Sequence, residues 1–529
     1  MTETTRQNKG GISRRAVLAG GGGVAAGAGF ALGSVPTASA AAPERVREAR
    51  ADVVVVGAGV SGLTAARRLV QAGRSVLVLE ADDRVGGRTL NLDVGKGVIT
   101  EGGGQWIGPG QDRVFALLDE LGLTSFKTYV DGASLLHRKG VRQEFTGSMP
   151  ALPAKALEDF GRLVATLEEM AATVPVDAPW NARNAVAWDS TTFGHWLDTN
   201  AGTEESAWLF MLAFTIIHGE DPHNTSLLTA LFHIAGADGV EHMIATTGGA
   251  QESRVVGGTQ RISLEMAERL GHRLVLGSPV SEIRRRDGDV LVRSAKADVR
   301  CREVIVAMSP ADAERIRFTP HLPTRRTSLQ RKWHNGTESK LFAVYDKPFW
   351  RAEGLSGSAM TDLPFARFVI DNSPPDGSVG ILLTFMGTAG SGPGQTWTDR
   401  VLDDPRERRA AFLADLVTLF GPRAAHPLRV LEQDWAHQPW IDGCVSTTPP
   451  GLLTEYTDAV RTPVGRIHWA GTETATAYQG YIEGAIRAGE RAAKEVGAAL
   501  AGSSSSRSAE RRNVSPAPPP ARSTSPGRR

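Results

Sequence analysis

The stretch that decides the fold is ADVVVVGAGVSGLTAARRLVQAGRSVLVLEADDRVGGRT, residues 51–89. Its valine run, Val53–Val56, is typical of a strand that is buried on both faces. Gly57, Gly59 and Gly62 follow as a G-x-G-x-x-G turn that leads into a helical segment. In this pattern the first glycine allows a sharp bend, the second lets a pyrophosphate approach the backbone, and the third permits close helix–strand packing. The stretch therefore predicts a strand, a turn and a helix whose N-terminal end binds phosphate.

An acidic residue stands where a dinucleotide-binding unit needs one. Glu80 ends the next predicted strand, SVLVLE, about 20 residues further on, where a carboxylate can accept hydrogen bonds from both ribose hydroxyls. The glycine motif alone is weak in a chain with 59 glycines, and the valine run, the helix and Glu80 strengthen it. A carboxylate here favours FAD or NAD over NADP, although an acid at a strand end can also be merely solvated.

A double glycine and Arg88 follow Glu80 in EADDRVGGRT, where the guanidinium could clamp a pyrophosphate through two hydrogen bonds. This E-x-x-x-R-x-G-G-R extension resembles the second glycine motif of the FAD-dependent amine oxidase superfamily. The resemblance continues in further segments: 101–123, 253–271, 278–283 and 468–496. The last of these, HWAGTETATAYQGYIEGAIRAGERAAKEV, is similar almost residue for residue to the C-terminal flavin motif of the monoamine oxidases. The chain is identified as a member of the flavin monoamine oxidase family, of bacterial and exported type.

The resemblance implies an α/β fold with two domains, each discontinuous in sequence. The Rossmann-like FAD-binding domain would take residues 52–128, 253–308 and 441–500. The substrate-binding domain, built from a mixed sheet and helices, would take residues 129–252 and 309–440.

The same resemblance implies that the cofactor is FAD. It also implies that the protein oxidatively deaminates a primary aromatic or aliphatic amine to the imine and aldehyde, with O2 reduced to H2O2. The implied cofactor-binding residues are Gly57, Gly59, Ser61, Gly62, Glu80, Arg88, Gly104, Gln105, Val280, Cys444, Glu473 and Ile482. In the family the backbone at the position of Val280 contacts adenine, and the residue at Glu473 contacts the ribityl-phosphate portion. The helix near Ile482 could point its N-terminus at the flavin pyrimidine ring, where negative charge builds up on reduction.

Lys340 lies in ESKLFAVYDKPFW, whose alternating pattern predicts a strand that would hold the side chain rigidly. A lysine at the start of a strand is usually a solvated edge residue. The surrounding match, including KPFW, instead resembles the segment with the lysine that holds a water near the flavin N5 in this family. Lys340 is therefore predicted to be catalytic.

Tyr481 resembles one wall of the aromatic cage that frames the substrate amine, and it is predicted to line the cavity and take part in catalysis. A packed core tyrosine is the alternative. The second wall departs from the family, because Val445 stands where the mitochondrial enzymes have a tyrosine. The cage is then half-open or completed by another residue, such as Trp106. Trp435 either packs behind the flavin or belongs to the core, and the helix-patterned segment 152–239 is expected to roof the cavity.

Cys444 occupies the position of the cysteine that forms a covalent thioether with the flavin in mitochondrial monoamine oxidases. Two features argue against simple transfer of that role: the stretch before Pro449 is one residue shorter, and Val445 replaces the cage tyrosine. Covalent attachment and a buried free thiol both stay open. The second cysteine, Cys301, lies in a strand-like run elsewhere, so a disulfide between the two is not expected.

Other enzymes with this fold remain alternatives. An L-amino-acid oxidase would need a pocket arginine for the carboxylate, for which Arg367 is available. A polyamine or diamine oxidase would need an acid for a distal ammonium, for which Asp362 or Asp371 is available. A desaturase or isomerase would release no H2O2 and would not require Lys340. A flavin-binding protein without turnover would have no use for Lys340 or Tyr481.

The charge balance, 59 Lys and Arg against 58 Asp and Glu, gives no reason to expect a nucleic-acid or membrane-surface partner. Two cysteines and scattered histidines show no metal-ligand spacing, so no metal is expected. The expected partners are a small-molecule amine and O2, and a homodimer is left open.

The N-terminal segment 1–40 contains the pair Arg14-Arg15, a weakly apolar stretch rich in Gly and Ala, and the small-residue site TASA. This resembles a twin-arginine signal that is cleaved after Ala40, with a disordered basic leader as the alternative. Export would place the protein outside the cell or in the envelope. The segment 502–529, rich in Ser, Pro and Arg, is predicted to be disordered, and no membrane anchor is expected.

Overall fold

The predicted valine strand is the middle strand of a five-stranded parallel sheet. A computed structural model describes residues 47–147, 149–386 and 404–512 of the protein. The described strands are β1 (Arg47–Arg50), β2 (Val53–Val56), β3 (Val76–Leu79), β4 (Asn91–Gly95), β5 (Val98–Glu101), β6 (Trp106–Ile107), β7 (Ser125–Lys127), β8 (Ala133–Arg138), β9 (Val141–Phe145), β10 (Ser253–Val255), β11 (Leu274–Val275), β12 (Val280–Arg285), β13 (Val290–Ser294), β14 (Ala297–Cys301), β15 (Glu303–Ala307), β16 (Arg317–Thr319), β17 (His334–Asn335), β18 (Ser339–Tyr345), β19 (Leu355–Thr361), β20 (Phe368–Asp371), β21 (Gly380–Met386), β22 (Arg429–Asp434), β23 (Ser446–Thr447) and β24 (Ile467–Ala470).

The described α-helices are α1 (Val60–Gln71), α2 (Asp112–Leu121), α3 (Ala154–Ala171), α4 (Ala185–Asp189), α5 (Phe193–Asn200), α6 (Glu204–His218), α7 (Leu227–Gly236), α8 (Val240–Ile244), α9 (Gln260–Leu270), α10 (Pro310–Ala313), α11 (Thr324–Lys332), α12 (Phe349–Ala352), α13 (Pro405–Phe420), α14 (Leu452–Tyr456) and α15 (Ile482–Arg512).

The parallel sheet has the strand order β11-β3-β2-β15-β24. Val53, Val54 and Val55 in β2 are fully buried, as a strand covered on both faces requires. Helix α1 lies against this sheet, and the C-terminal helix α15 packs closely on α1. A Cβ on Gly489 of α15 would lie only 2.3 Å from the carbonyl oxygen of Ser61, so glycine permits this contact. The Ser61 hydroxyl accepts a hydrogen bond from the backbone N–H of Gly471, which ties the glycine turn to the end of β24.

A second, seven-stranded sheet has the order β22-β18-β21-β20-β19-β8-β9. Strand β18 carries the predicted catalytic lysine and pairs with a neighbour on each side, so it is an interior strand. The segment 152–239, which was predicted to be helical, contains helices α3 to α7, and these helices share one apolar cluster. The strands of each sheet fall in the segments expected for the corresponding domain. Both sheets belong to one compact unit, so the division into two domains stays a prediction.

The C-terminal helix extends further than the sequence predicts. It ends at Arg512, so residues 502–512 are helical rather than disordered. Serine, alanine, arginine and glutamate can continue a helix, and the first proline after its start is Pro516. The rest of the predicted disordered tail and the proposed signal 1–40 lie outside the described residues. Within the described ranges no helix combines the length and apolar character of a membrane span.

Candidate active site

The glycine turn leaves an open cradle at the N-terminal end of α1. Gly57 has a φ of +100°, and a Cβ there would lie 2.8 Å from the carbonyl oxygen of Ala307. A Cβ on Gly62 would lie 2.1 Å from the carbonyl oxygen of Gly57. A Cβ on Gly59, in contrast, would meet no protein atom closer than 4.0 Å. The first backbone N–H groups of α1 have no intrahelical partners, so this open space suits a pyrophosphate.

Glu80 is held in place by two backbone donors. The N–H of Ala58 donates to Oε2 at 2.5 Å, and the N–H of Asp82 donates to Oε1 at 2.9 Å. Burial of the side chain raises the pKa of Glu80. Each carboxylate oxygen can accept a second hydrogen bond, so both can still bind ribose hydroxyls. The N–H of Ser278 donates to the Glu80 carbonyl at 2.7 Å, which brings the segment leading to Val280 to the same end of the site.

Arg88 and Glu473 form an ion pair in the middle of the site. Arg88 Nη2 lies 2.6 Å from Glu473 Oε1, and Nη1 donates to the carbonyl oxygen of Cys444 at 2.7 Å. The hydroxyl of Ser446 donates to the same Oε1 at 3.0 Å. Glu473 Oε2 is buried and has no hydrogen-bond partner among the described residues. This free acceptor fits a hydroxyl such as those of a ribityl chain, so the residues suit FAD. A contact between Arg88 and pyrophosphate stays a prediction.

A cavity of about 800 Å³ brings together residues from distant segments of the chain. The predicted residues that line it are Gly104, Gln105, Trp106, Lys340, Cys444, Val445, Tyr481 and Ile482, together with Trp435. The apolar roof comes from α3, α6 and α8 and includes Phe160, Val164, Leu209, Phe210, Ile216 and Met243. Because residues implied to contact the flavin and residues implied to contact substrate share this cavity, one part would hold the flavin ring and the rest the substrate.

Lys340 is 7% exposed and faces acceptors from the loop after β5. Its Nζ donates to Gln105 Oε1 at 2.6 Å and to the carbonyl oxygen of Gly103 at 2.7 Å, with Glu101 O further away at 3.4 Å. Burial of the ammonium lowers the pKa of Lys340 to about 8. In the ammonium form all three N–H groups point at protein acceptors. A water held by Lys340 would therefore replace the longest of these bonds.

Tyr481 lines the cavity directly before α15. Its hydroxyl is buried and has no hydrogen-bond partner in the part of the chain that the structure describes. The ring of Tyr478 packs edge-on against it, with centroids 5.6 Å apart. Val445 lies opposite the adjacent glycine, since a Cβ on Gly480 would be 3.0 Å from Val445 Cγ1. One aromatic wall and one aliphatic wall thus stand near each other at this end of the cavity.

The two tryptophans have different surroundings. Trp106 lines the cavity and packs on Phe385, with ring centroids 5.9 Å apart, and Lys340 Nζ lies 5.5 Å from its ring centre. Trp435 is 2% exposed, and its Nε1 donates to the carbonyl oxygen of Gly102 at 2.9 Å. Trp435 therefore combines a buried, hydrogen-bonded position with a place on the cavity wall.

The side chains considered for other substrates lie elsewhere. Asp371 is 1% exposed and pairs with Arg351 at 2.7 Å. Asp362 accepts a hydrogen bond from the backbone N–H of Lys139. The cavity-lining residues in the described ranges include no aspartate and no arginine, so Arg367 is not among them. None of the three candidates, Asp362, Arg367 and Asp371, therefore lines the cavity.

Two buried polar features were missed by sequence reasoning. Glu338, which is 5% exposed, lines the cavity. His218 Nε2 lies 2.7 Å from His233 Nδ1, and His233 Nε2 lies 2.7 Å from Gln479 Oε1. The sequence signal for Glu338 is its i, i+2 spacing to Lys340, since alternate residues of an extended segment share a face. Nothing in the sequence pairs the two histidines.

Fold and site together define an FAD-dependent oxidoreductase with a largely apolar substrate cavity. A family model described as flavin containing amine oxidoreductase matches residues 60–497. The chain belongs to this family and is an FAD-dependent amine oxidase.

Relatives of known sequence and structure support this assignment. A putative flavin-containing monoamine oxidase of Mycobacterium tuberculosis is 40% identical over 450 residues, which cover 85% of this chain and 97% of the relative. Flavin-containing amine oxidase B of Sus scrofa is 36% identical over 456 residues, 84% and 86% of the two chains. A double mutant of putrescine oxidase superposes with a TM-score of 0.81 at 33% identity, covering 85% of this chain and all of that chain. Cyclohexylamine oxidase from Brevibacterium oxydans gives a TM-score of 0.79 at 34% identity, covering 85% and 99%.

Proposed function

We propose that the protein oxidises primary monoamines whose carbon skeleton is apolar, aromatic or alicyclic, to the imine and then the aldehyde. The observation that carries this proposal is the cavity lining, in which apolar and aromatic side chains predominate. Among the described residues its charged members are Glu241, Glu338 and Lys340, and it includes no arginine or aspartate. A substrate carboxylate would have no guanidinium partner there. Transfer of an apolar group from water into such a cavity is favourable by about 25 cal/mol for each Å² of apolar surface that is removed from water.

The protein's part in this reaction is to bind, orient and keep water away. Bound FAD supplies the two-electron acceptor, which O2 reoxidises with release of H2O2. Glu80 and the open space at Gly59 would hold the nucleotide, and Glu473 the ribityl region. Tyr481 offers its ring to the amine, and an apolar surrounding favours the neutral amine, the form that reacts.

The test is a peroxidase-coupled assay with a panel of amines. We expect H2O2 from phenylethylamine, tyramine and cyclohexylamine, and much lower kcat/KM values for putrescine and L-phenylalanine. A preference for putrescine would shift the assignment to a diamine oxidase. Failure of every amine and amino acid to reduce the flavin anaerobically would contradict the oxidase assignment itself.

We also propose that the protein is exported through a twin-arginine route, on the basis of Arg14-Arg15 and the TASA site. Fusion of residues 1–41 to a reporter, compared with the same fusion carrying Lys in place of both arginines, tests this. Export that is independent of the arginine pair would contradict it.

Whether Cys444 holds the flavin covalently is decided by acid denaturation, since only a thioether keeps the yellow colour with the chain. Light scattering on the purified protein tests for a homodimer.

A further inference from the structure

Glu338 is a buried carboxyl group that faces the cavity without a protein partner. Its side chain is 5% exposed and lines the cavity just before β18. It forms no hydrogen bond or ion pair with any described residue. Unlike the Oε2 atom of Glu473, the carboxyl oxygens of Glu338 are not sealed inside the protein but border the cavity, where a ligand can reach them. The unmet acceptor capacity therefore points to a ligand.

The backbone fixes Glu338 at the flavin end of the cavity. Gly336 N donates to the carbonyl oxygen of Val445 at 2.6 Å, and Cys444 N donates to the carbonyl oxygen of Gly336 at 2.7 Å. These bonds hold the 444–445 segment against the strand that leads to Glu338. From the other side, Gly219 lies so close that a Cβ there would be 2.9 Å from the Cβ of Glu338. These contacts fix the segment that carries Glu338 beside Val445, the residue that replaces the cage tyrosine of the mitochondrial enzymes.

The neighbouring cation makes no direct ion pair with this carboxyl group, although its charge offsets part of the rise that burial causes in the pKa of Glu338. Lys340 lies two residues further along the chain, but its three N–H groups are directed at Gln105 and at the carbonyl oxygens of Gly103 and Glu101. Among the described residues, the other ionisable side chains that line the cavity are Cys444, His218, Glu241 and Tyr481. Burial raises the pKa of Glu338 well above its ordinary value, which makes its carboxylate a stronger base.

We propose that Glu338 binds the ammonium group of the incoming amine and accepts the proton that the amine loses before it is oxidised. One N–H bond of the ammonium breaks, one O–H bond forms on Glu338, and the neutral amine remains; no electrons are transferred in this step. A carboxylate that faces an ammonium makes a short, charge-assisted hydrogen bond. The inference rests on the proposed function, because it assigns a role toward the amine that is oxidised.

The binding test uses holoenzyme and 2-phenylpropan-2-amine, which has no hydrogen on the carbon bearing nitrogen and cannot be oxidised. Its neutral counterpart is 2-phenylpropan-2-ol. Binding is followed by calorimetry and by the flavin absorbance. For Glu338→Gln we expect affinity for the amine to fall about 10- to 100-fold, while affinity for the alcohol changes less than about 2-fold. Equal affinity of variant and wild type for the amine overturns the proposal.

Glu338→Met guards against an effect on folding alone. Replacement of an unpaired buried polar group by an apolar one of similar size is close to neutral for stability. We therefore expect the Met variant to keep its FAD and its thermal midpoint but to bind the amine as weakly as the Gln variant. A lowered thermal midpoint, together with equal losses for amine and alcohol, would indicate a structural role and overturn the proposal.

A pH profile of kcat/KM supplies an independent readout. Without a proton acceptor, the Gln variant depends on neutral amine from solution, so its kcat/KM should rise about tenfold per pH unit up to the pKa of the substrate. Wild type should level off between the pKa of Glu338 and that of the substrate and should rise only below the pKa of Glu338. A wild-type profile that rises tenfold per pH unit up to the pKa of the substrate, as in the Gln variant, overturns the proposal. If the protein binds amines through Glu338 and yet oxidises none of them, that outcome supports this inference and contradicts the proposed function. Oxidation that proceeds with unchanged probe binding in both variants would overturn the inference alone.

Discussion

Two alanine substitutions in the glycine turn should separate binding of the cofactor from stability of the fold. In Gly62→Ala the new Cβ would lie 2.1 Å from the carbonyl oxygen of Gly57, and 3.4 Å is the lower end of an ordinary contact. Helix α1 must therefore retreat by about 1.3 Å from a sheet on which Val60 and Leu63 are buried. Overpacking of this kind costs about 1–3 kcal/mol. For a chain of this length the thermal midpoint of FAD-free protein should fall by about 1–3 °C.

Gly59→Ala is the matched change that the protein itself can accommodate. Gly59 has φ −70° and ψ 172°, a conformation open to any residue, and a Cβ there meets no protein atom closer than 4.0 Å. The stability of FAD-free protein should change by no more than about 1 kcal/mol, the scale of an N-cap preference. The methyl group would occupy the space of the pyrophosphate. A steric penalty of about 1–3 kcal/mol would weaken FAD binding about 5- to 150-fold.

The assay is a titration of FAD-free protein with FAD, followed by flavin fluorescence, alongside thermal unfolding without FAD. Both substitutions are made in a Cys444→Ala background, so that binding is an equilibrium whether or not the wild type holds its flavin covalently. The expected result is a selective loss of affinity in Gly59→Ala and a loss of both affinity and stability in Gly62→Ala. The reasoning is refuted if Gly59→Ala binds FAD like its parent, or if the two variants lose stability equally.

Three further predictions follow from other contacts. In FAD-free protein the free energy of unfolding should rise by about 3 kcal/mol between about pH 8 and 10.5, because the folded state releases the Lys340 proton at a pKa of about 8 and the unfolded chain at 10.5. Lys340→Met should flatten that rise, measured by chemical denaturation across this range, and should slow amine oxidation while FAD stays bound; unchanged kinetics would remove Lys340 from the mechanism. Arg88→Met should lower stability by about 3–5 kcal/mol, because it leaves the buried carboxylate of Glu473 without its cation, and adding Glu473→Gln should restore most of the loss in a denaturation series. Tyr481→Phe should change stability by less than about 1 kcal/mol, because the hydroxyl has no partner to lose among the described residues, whereas Tyr481→Ala should raise KM for amines. A large loss of stability in the Phe variant would show that the Tyr481 hydroxyl forms a stabilising hydrogen bond and would contradict this reasoning.

Local patterns in the sequence were sufficient for the cofactor end of the molecule. The valine run, the three glycines and Glu80 lie within thirty residues or so of one another, and each has a conformational requirement that its neighbours meet. The alternating pattern around Lys340 likewise predicted a strand, and β18 confirms it. The family resemblance added Tyr481, Ile482 and Glu473. Tyr481 and Ile482 line the cavity, whereas Glu473 lies outside its lining and leaves one buried carboxylate oxygen without a partner among the described residues.

The amine end of the cavity was decided by tertiary structure. A carboxyl group at position 338 is unremarkable in sequence, and only the packing of Gly219, the 444–445 segment and the helical roof encloses it. The same holds for Asp371, whose acidic side chain suggested a substrate contact until its ion pair with Arg351 became visible. Sequence by itself determined the elements whose signals are local: the glycine turn, the buried strands and the strand that carries Lys340. Tertiary structure alone decided which side chains face one cavity, because burial and partners of a side chain depend on segments that are far apart along the chain.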